Sequence, residues 1–316
     1  MSICLKDKKV LVTGGAGFIG SHIVDKLLDL EAKVTVLDNL VTGNLENIKP
    51  NLDKVKFIQK DLTDDKALEE ALGGVEFVSH QAALRSVPKS MEEPLEYHRV
   101  NACGTLNLFK KAKEKGVKRI VLASSSSVYG ERANFPEKED DRLEPISPYA
   151  VTKLIGEYYG NIFSKLGSLE VVSLRYFNVF GPRQSLENEY AVVIPKFITC
   201  FIKNQKPPVY GDGNQERDFV YIDNVVEANI QALIKQNVSG EVFNIASSSP
   251  NSVNNLIAKL KEIFDKNIEP DYLEARPGDV KKTYADITKA KKLLDWKPKI
   301  DFYSGLKITT DWFKNK

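Results

Sequence analysis

Two residues four positions apart carry the strongest sign of chemistry in this sequence. Tyr149 and Lys153 stand in the segment Ser-Pro-Tyr-Ala-Val-Thr-Lys, and residues i and i+4 of a helix lie on one face. A phenol with a pKa near 10 is a poor base at neutral pH, and a nearby cation lowers that pKa. At about 5 Å and an effective dielectric of about 20, the attraction is roughly 3 kcal/mol, or about two pKa units. The pair therefore predicts a tyrosine that acts as a base, although it also fits a surface lysine beside a packed tyrosine.

A glycine-rich turn near the N-terminus is the second sign of chemistry. Residues 9–13 form an apolar run typical of a buried strand. Gly14, Gly17 and Gly20 follow, and helical periodicity continues over residues 21–28. Glycines at this spacing permit a tight turn and close approach of the backbone to a pyrophosphate, which the N-terminus of the helix attracts. The order strand, loop, helix predicts a dinucleotide site rather than a structural glycine turn.

An acidic residue follows the second predicted strand. That strand spans residues 33–37 and ends at Asp38, where a carboxylate is expected to bind the hydroxyls of the adenosine ribose. Asn39 comes next, and no Arg or Lys stands beside it to pair a 2′-phosphate. The sequence therefore favours NAD over NADP. An oxidised nicotinamide ring would also place a second positive charge near Tyr149 and bring its pKa closer to neutrality.

Composition and charge narrow the class of protein. The chain has 316 residues, a formal net charge of +2 and 28% charged residues, which gives no basic face for nucleic acid. No apolar run approaches membrane-spanning length, and the first predicted strand begins too early to leave room for a signal peptide. Three cysteines without short spacing and three histidines without metal-ligand spacing indicate a reducing compartment and no metal site. We expect a cytoplasmic enzyme with no nucleic-acid or membrane partner.

Strand and helix patterns alternate along the first half of the chain. The apolar strand patterns are residues 55–59, 75–80 and 119–123, and the helical patterns are residues 66–72, 94–115 and 148–165. Strands separated by helices indicate βαβ units and a parallel sheet. We predict the α/β class, with a Rossmann-type doubly wound parallel sheet and a smaller C-terminal substrate-binding lobe. The NAD-binding domain is expected over residues 1–178, with 218–250 returning to it, and the substrate lobe over residues 179–316.

Taken together, these residues resemble the extended short-chain dehydrogenase/reductase family and, within it, the UDP-sugar 4-epimerases. The resemblance runs from Thr13, in Thr-Gly-Gly-Ala-Gly-Phe-Ile-Gly, to Trp296, nearly the whole chain. It rests on the glycine loop, on the Tyr-x-x-x-Lys pair and on the serine tract Ser124–Ser127 before Val-Tyr-Gly. Jointly these matches are far more specific than any one of them. The resemblance implies that the chain binds NAD and, in its C-terminal lobe, a UDP-sugar.

The resemblance also implies which positions act in catalysis and binding. Ser125, Tyr149 and Lys153 are the expected catalytic residues. The expected cofactor contacts are Gly14, Gly17, Phe18, Ile19, Asp38, Asn39, Thr42, Gly43, Asp61, Leu62, Gln81, Ala82, Ala83, Asn101, Tyr149, Lys153 and Tyr176. The expected substrate contacts are Ser86, Ser125, Ser126, Tyr149, Asn178, Val193, Tyr210, Arg217, Arg276, Asp279 and Thr283. Arg217 and Arg276 match the family's diphosphate-binding arginines, since a planar guanidinium can pair two phosphate oxygens.

Single residues distinguish the reactions that related nucleotide-sugar enzymes catalyse. Sugar-nucleotide dehydratases and UDP-glucuronate decarboxylases resemble this layout but carry acids just after the catalytic Ser or Thr, where this chain has Ser126 and Ser127. A hydroxyl cannot replace a carboxyl as general acid at neutral pH, so elimination is disfavoured. UDP-glucuronate 4-epimerases resemble the serine tract but usually have Thr where this chain has Asn178, which favours a neutral hexose. The alternatives are a UDP-glucuronate 4-epimerase, another nucleotide-sugar dehydratase or decarboxylase, and a non-catalytic NAD-sensing regulator.

A reaction and a substrate gate follow from the same resemblance. Tyr149 as phenolate would take the proton of the sugar 4-hydroxyl while C4 passes hydride to NAD, and the 4-keto sugar would take hydride back on its other face. Ser125 would hydrogen-bond the 4-oxygen, and Lys153 would hold the cofactor ribose and lower the Tyr149 pKa. The family's gate beside the sugar falls on Thr283. Its small side chain predicts that UDP-GlcNAc and UDP-GalNAc are accepted beside UDP-Glc and UDP-Gal, unless Thr283 only packs and Tyr284 fills the space.

Two predicted helices carry apolar residues on more than one face. The helices over residues 94–115 and 148–165 have more apolar positions than one core stripe needs. These positions include Leu106, Phe109, Leu154, Ile155, Tyr158 and Ile162. Similar epimerases pair the corresponding helices into a four-helix interface, so we expect a homodimer. The alternative is that the second lobe covers these faces.

Overall fold

A computed structural model describes residues 4–131, 134–167, 169–185, 193–275 and 280–316. Its strands are β1 (Lys9–Thr13), β2 (Lys33–Asp38), β3 (Lys56–Gln59), β4 (Phe77–His80), β5 (Arg119–Ser125), β6 (Glu170–Tyr176), β7 (Val179–Phe180), β8 (Pro208–Tyr210), β9 (Glu216–Arg217), β10 (Val220–Tyr221), β11 (Val242–Ile245), β12 (Asn251–Ser252) and β13 (Asp271–Leu273). Its α-helices are α1 (Phe18–Asp29), α2 (Asp65–Ala71), α3 (Val87–Glu92), α4 (Pro94–Tyr97), α5 (Gly104–Glu114), α6 (Pro148–Lys165), α7 (Val193–Ile202), α8 (Ile222–Ile234), α9 (Val253–Phe264) and α10 (Phe302–Lys314).

Seven parallel strands form the central sheet. Their order across the sheet is β11-β6-β5-β4-β1-β2-β3. The winding runs outward from β1 to β3 and then in the other direction from β4, so it reverses between β1 and β4. Ligands of open α/β sheets bind outside the carboxyl ends of the strands at such a reversal. The predicted Rossmann-type doubly wound sheet is confirmed, and β11 returns residues 242–245 to its edge.

The central sheet is covered on both faces, as a parallel sheet requires. All residues of β4 and β5 are buried. Successive side chains of a strand point to opposite faces, and β1 shows this directly. Val10 and Val12 belong to a core cluster with residues of α1 and α8, whereas Leu11 belongs to a second cluster with residues of α2 and α5. The sheet therefore holds its carboxyl edge rigidly between two helical layers.

The helix that carries Tyr149 and Lys153 begins and ends where the sequence predicts. The Ser147 hydroxyl caps α6 by accepting the Ala150 N–H at 3.2 Å, and Pro148 occupies the first helical position. Both residues favour a helix start, because the cap satisfies a free N–H and proline lacks one. The capped first turn fixes Tyr149 at the N-terminus of the helix.

The helix predicted over residues 94–115 is interrupted. α4 runs into a π-helical segment, His98–Cys103, and α5 begins only at Gly104. Asn101, inside this segment, is buried and directs its amide to the backbone of Leu84. π-helical turns are rare and frequently lie at functional sites. A single widened turn does not interrupt the pattern of apolar residues along the sequence. Helical periodicity therefore predicts one continuous helix over residues 94–115.

The six apolar residues predicted for more than one helix face are buried, half-buried or exposed, and Leu106 and Ile155 are the half-buried ones. Phe109 is fully buried and Leu154 is 9% exposed, and both pack in the core of the chain. They are therefore not available to a second chain. Tyr158 and Ile162 are 59% and 50% exposed. Of the six, the exposed ones lie on α6.

Short two-stranded sheets lie beyond residue 178. β7 pairs with β10 in parallel, β8 with β13 in parallel, and β9 with β12 antiparallel. They connect distant stretches of sequence and bring residues near 178, 217 and 283 together. In the described ranges, every helix is too short or too polar to cross a membrane.

Candidate active site

A cleft of about 1170 Å³ opens along the carboxyl edge of the sheet. Residues that end or follow β1 to β6 line it. Ordinary small-molecule pockets have roughly 300–1,000 Å³, so this cleft has room for a larger ligand. Every cofactor contact predicted from the sequence lines it, with the exception of Asn101.

The glycine loop leaves a cradle at the N-terminus of α1. Gly14 has a φ of 67°, and a Cβ there would lie 2.7 Å from the Ala82 nitrogen. A Cβ on Gly20 would overlap the carbonyl oxygen of Gly14. Gly17 precedes α1 without a side-chain cap, so the first N–H groups of the helix are open to a ligand. The cradle fits a pyrophosphate, which binds backbone N–H groups and the positive helix end.

Asp38 lies at the end of β2 and is 7% exposed. Its carboxylate accepts the N–H of Ala16 at 2.9 Å and the N–H of Leu40 at 2.8 Å. Burial raises the pKa of Asp38, and these two hydrogen bonds oppose that rise. Next to it, Asn39 donates to the Asp61 carboxylate at 2.6 Å. The turn after β2 thus offers oxygen acceptors to the hydroxyls of a ribose and carries no cation that would pair a 2′-phosphate. This arrangement suits NAD.

Ser125, Tyr149 and Lys153 meet on the wall of the cleft. Ser125 ends β5 and its hydroxyl accepts the Ser127 N–H at 3.1 Å. The Ser125 side chain lies near enough to the Tyr149 phenol to lower the pKa of Tyr149. The Lys153 ammonium lies 5.9 Å from the centre of the Tyr149 ring and donates to the Ala123 carbonyl at 2.9 Å. The structure therefore brings the three predicted catalytic residues together.

Burial has the largest effect on the pKa of Tyr149. Removal from water disfavours the charged phenolate and raises the pKa of Tyr149, while the Ser125 hydrogen bond and the Arg85 charge act in the opposite direction. Burial also lowers the pKa of Lys153 to about 8. In the protein alone, burial therefore outweighs the groups that favour the phenolate, and the lowering of the Tyr149 pKa by Lys153 stays a prediction for the NAD-bound protein. The lysine is itself desolvated, and its ammonium is bound to the Ala123 carbonyl.

Histidine does not supply a base at this site. His80 is enclosed below the cleft, where its two ring nitrogens lie 2.7 Å from the Thr13 hydroxyl and 2.9 Å from the Thr105 hydroxyl. Burial, together with the Lys153 charge, lowers the pKa of His80 to about 3. The ring therefore stays neutral at physiological pH. Nor does the described part of the chain gather three or more His, Cys, Asp or Glu side chains in a metal-binding arrangement.

Asn101 lies behind the cleft wall. Its side chain accepts the Leu84 N–H at 2.8 Å and donates to the Leu84 carbonyl at 2.9 Å. It also donates to the Thr152 hydroxyl at 3.2 Å, and that hydroxyl donates to the Tyr149 carbonyl at 2.8 Å. Asn101 therefore ties the loop after β4 to the first turn of α6.

A buried ion pair supports the catalytic strand and helix from below. Arg175 of β6 and Glu157 of α6 lie 2.8 Å apart, and each side chain is 3% exposed. Ser124 donates to the same carboxylate, and Arg175 donates to the Tyr129 hydroxyl at 2.9 Å. The ion pair raises the pKa of Arg175 above its usual value, although burial opposes that rise. The network locks β5, β6 and α6 together one helical turn beyond Lys153.

Several substrate contacts predicted from the sequence form a group of their own. Asn178 donates to the Thr283 hydroxyl at 3.0 Å, and the Thr283 N–H donates to the Glu216 carbonyl at 3.1 Å, next to Arg217. The predicted contacts that do not line the cleft are Ser86, Ser126, Asn178, Val193, Tyr210, Arg217 and Thr283. Arg276 and Asp279 lie outside the described residues.

Comparison with known proteins places this geometry in a family. Residues 10–246 match the family model described as the NAD dependent epimerase/dehydratase family. The chain belongs to this family. A protein of Methanocaldococcus jannaschii with the provisional name UDP-glucose 4-epimerase is 43% identical over 97% of this chain and 98% of its own length.

Solved structures show the same relationship in three dimensions. The UDP-N-acetylglucosamine 4-epimerase of Methanobrevibacter ruminantium M1, in complex with UDP-N-acetylmuramic acid, is 43% identical, with a TM-score of 0.94 over 98% of this chain and 99% of that one. The UDP-glucose 4-epimerase of Thermotoga maritima, with UDP-glucose, is 40% identical, with a TM-score of 0.92 over 97% and 99% of the two chains. These are members of the extended short-chain dehydrogenase/reductase group that the sequence resembles.

NAD is the cofactor of this epimerase/dehydratase family, and the cleft of this chain fits it. The glycine cradle would hold the pyrophosphate and the turn at Asp38 the adenosine ribose. Tyr149 and Lys153 stand at the far end, where the nicotinamide would lie.

Sequence reasoning missed several charged residues of the cleft wall, and Arg85 is one of them. Arg85 lines the same cleft as Tyr149, and its charge favours the phenolate. No motif identifies it, because a single arginine in a loop after a strand has no characteristic spacing. Only the folded chain brings it to the same cleft as Tyr149.

Proposed function

We propose that the protein is a UDP-sugar 4-epimerase that interconverts UDP-GlcNAc with UDP-GalNAc and UDP-Glc with UDP-Gal. The observation that carries the proposal is the meeting of Ser125, Tyr149 and Lys153 on the wall of the cleft that fits NAD. Relatives named as UDP-sugar 4-epimerases, aligned over nearly the whole chain, support it.

The side chains of the site have separate tasks in this reaction. NAD, when bound, supplies the acceptor and donor of hydride. Tyr149 takes the proton of the sugar 4-hydroxyl and later returns it, and Ser125 hydrogen-bonds to the same oxygen. Lys153, with a pKa of about 8, is mostly protonated at neutral pH and keeps a positive charge beside the reacting groups. Because the reaction has no net redox change, the protein need not release its cofactor between turnovers.

The charges of the cleft support epimerisation over elimination. Loss of water needs a general acid that protonates the departing hydroxyl, and loss of CO2 leaves an enolate that needs a proton donor beside the reacting carbon. In the described lining of the cleft, the carboxyl groups are Asp38, Asp61 and Glu96. Asp38 ends β2 and Asp61 follows β3 at the adenosine side, and Glu96 is paired with Arg99 at 2.7 Å. Hydroxyls rather than carboxyls surround Ser125.

The proposal includes the N-acetylated sugars because of Thr283. A small side chain at the position of the family's gate leaves room for a 2-acetamido group, whereas an aromatic ring would fill it. The Thr283 hydroxyl accepts from the Asn178 amide at 3.0 Å and from the Asp218 N–H at 3.2 Å. It therefore also holds Asn178, which the sequence places near the diphosphate.

The gate is tested by a pair of variants. Thr283→Tyr should reduce kcat/KM for UDP-GlcNAc at least 100-fold and spare UDP-Gal, since a pocket tolerates a missing group more easily than an extra one. Thr283→Val keeps the volume and removes the hydroxyl, so it controls for the lost hydrogen bonds. Equal losses on both substrates in Thr283→Tyr would show that Thr283 only positions Asn178.

The reaction itself is tested without added cofactor. Purified protein should convert UDP-GlcNAc to UDP-GalNAc and UDP-Glc to UDP-Gal, with NAD recovered from the denatured protein and no accumulation of free NADH. Tyr149→Phe should retain NAD and lose turnover. Release of a 4,6-dehydrated or decarboxylated sugar, or turnover of UDP-glucuronate alone, would refute the proposal.

We also propose a cytoplasmic homodimer. Val151, Tyr158, Ile162 and Leu166 are 41–66% exposed and recur at the spacing that places residues on one face of a helix. An exposed apolar stripe of this kind marks an interaction site. All three cysteines are free thiols, which suits a reducing compartment.

A further inference from the structure

Three polar side chains hydrogen-bond to one another beside the cleft. The Asn229 amide group donates to the Tyr176 hydroxyl at 2.8 Å, and the Gln81 amide group donates to the Asn229 oxygen at 3.1 Å. The Tyr176 hydroxyl has two acceptors within reach, the Asn229 oxygen at 3.0 Å and the Gln81 oxygen at 3.3 Å. Each side chain of this Gln81–Tyr176–Asn229 cluster is therefore held by the other two.

Asn229 is the buried member of the cluster. Gln81 and Tyr176 line the cleft, whereas Asn229, on α8, is fully buried and is not among the described residues that line it. Its amide group also donates to the Val225 carbonyl at 2.8 Å, one helical turn earlier. Asparagine is mostly a surface residue, and a buried amide destabilises a protein unless its polar atoms are hydrogen-bonded. At Asn229 the donors and the acceptor are used, and two of the partners belong to the cleft.

The cluster spans the strand that carries the catalytic serine. Gln81 follows β4 and Tyr176 ends β6, and β5 runs between these two strands. α8 packs against all three strands, so Asn229 connects Gln81 and Tyr176 across β5. Tyr176 is also the register partner of Ser125. The cluster therefore lies beside the catalytic end of the cleft, where the nicotinamide would lie.

The cluster is neutral at physiological pH. Burial raises the pKa of Tyr176, so its hydroxyl keeps the proton. The amides of Gln81 and Asn229 donate and accept hydrogen bonds without titrating. What the cluster contributes to the cleft is therefore the orientation of side chains rather than the transfer of a proton.

We propose that Asn229 is a positioning residue for the nicotinamide end of NAD. Through its hydrogen bonds it fixes the Gln81 amide and the Tyr176 ring in the orientation that the bound cofactor meets. Without Asn229 these two side chains lose a shared partner, and the surface of the cleft changes at this end while the adenosine side at Asp38 does not. The inference rests on NAD as the cofactor of the family and does not depend on which sugar the enzyme takes.

The test compares two ligands on NAD-stripped protein by calorimetry. NAD fills the whole cofactor site, whereas ADP-ribose has the adenosine, the pyrophosphate and a second ribose but no nicotinamide. Asn229→Leu keeps a similar volume and removes the hydrogen bonds. It should weaken the binding of NAD about tenfold or more and that of ADP-ribose by less than about threefold. Asn229→Ala is the second variant and should show the same difference between the two ligands.

Asn224 supplies the matched control. It is another buried asparagine of α8, and its amide group donates to the Ile300 carbonyl at 2.7 Å, away from the described lining of the cleft. Asn224→Leu removes a buried hydrogen bond from the same helix. The ratio of the affinities for NAD and ADP-ribose should therefore stay that of the parent protein, whatever the loss of stability.

A combined variant separates positioning from a general structural role. In protein that already carries Gln81→Met and Tyr176→Phe, Asn229→Leu should weaken NAD binding by less than about twofold further, because residues that act as one network are not additive. Equal weakening of NAD and ADP-ribose in both Asn229 variants, an unchanged affinity for NAD, or a full further loss in the combined variant would overturn the proposal. No sugar is present in these measurements, so the proposal can fail or succeed independently of the assignment as an epimerase.

Discussion

The ammonium of Lys153 is 5.9 Å from the centre of the Tyr149 ring, yet its hydrogen bond goes to the Ala123 carbonyl. The two side chains share one helix face, as their spacing dictates. Both are buried, and burial disfavours the charged form of each. Tyr149 is therefore neutral at neutral pH, and the cost of burial falls on the charged Lys153. A cost of this kind is common where activity and stability conflict.

The first prediction follows from the burial of charged Lys153 and concerns the stability of the protein. Burial lowers the Lys153 pKa from 10.5 to about 8, which corresponds to a penalty of about 3 kcal/mol on its charged form. Lys153→Met removes that penalty and loses a hydrogen bond worth about 1 kcal/mol. The free energy of unfolding of NAD-free protein should therefore rise by about 2 kcal/mol at neutral pH, while turnover is lost.

The gain in the free energy of unfolding of Lys153→Met should decrease as the pH rises. Because the folded pKa lies below the unfolded one, the penalty is complete below pH 8 and disappears as the pH rises towards 10.5. Urea unfolding at neutral and at alkaline pH measures it. A variant no more stable than the parent at neutral pH, or a gain that grows with pH, contradicts the prediction.

The second prediction concerns the glycine cradle. A Cβ on Gly20 would overlap the Gly14 carbonyl, which is backbone and cannot move aside. Gly20→Ala should lower the affinity for NAD at least tenfold, measured by calorimetry on stripped protein. Gly73→Ala, whose Cβ would meet the Glu70 carbonyl at 3.2 Å far from the cradle, should bind NAD normally. Unchanged NAD binding in Gly20→Ala would show that the loop can rearrange.

The third prediction concerns the ion pair beneath the site. Glu157→Gln leaves the Arg175 charge buried without its partner, and breaking such a pair costs about 3–5 kcal/mol. The exposed Glu31, paired with Lys6 at 2.7 Å, is the matched control, and Glu31→Gln should change stability by less than about 1 kcal/mol. The midpoints of urea unfolding of the two variants measure this difference in stability. Similar stabilities for both would mean that water reaches Arg175.

The fold and the cofactor cleft were predictable because local signals specify them. Apolar runs marked the strands, and helical periodicity marked α6 over residues 148–165. The glycine loop and Asp38 sit at consecutive strand ends, and parallel strands place such ends along one edge. Residues that were predicted as cofactor contacts because they end or follow a strand therefore line the cleft.

What the sequence could not predict depends on contacts between distant positions. Asn178 and Thr283 are 105 positions apart and share a hydrogen bond. The motif around Asn101 predicts a cofactor contact. In the structure, the Asn101 amide hydrogen-bonds to the N–H and the carbonyl of Leu84 instead. The acidity of Tyr149 depends on how deeply it is buried, which no spacing reports. These properties arise from packing and desolvation, and only the folded chain contains them.

The last prediction concerns the exposed stripe of α6. Tyr158 and Ile162 are 59% and 50% exposed and lie four positions apart on one helix face. A charge placed in the middle of a buried apolar interface must be desolvated without a partner, which costs several kcal/mol. Ile162→Asp should therefore convert a dimer into a monomer at micromolar concentration, measured by sedimentation velocity. Ile308→Asp, on α10 and 44% exposed, places the same charge elsewhere and should leave the dimer intact. If the parent protein sediments as a monomer, or if Ile162→Asp remains a dimer, α6 does not form the interface.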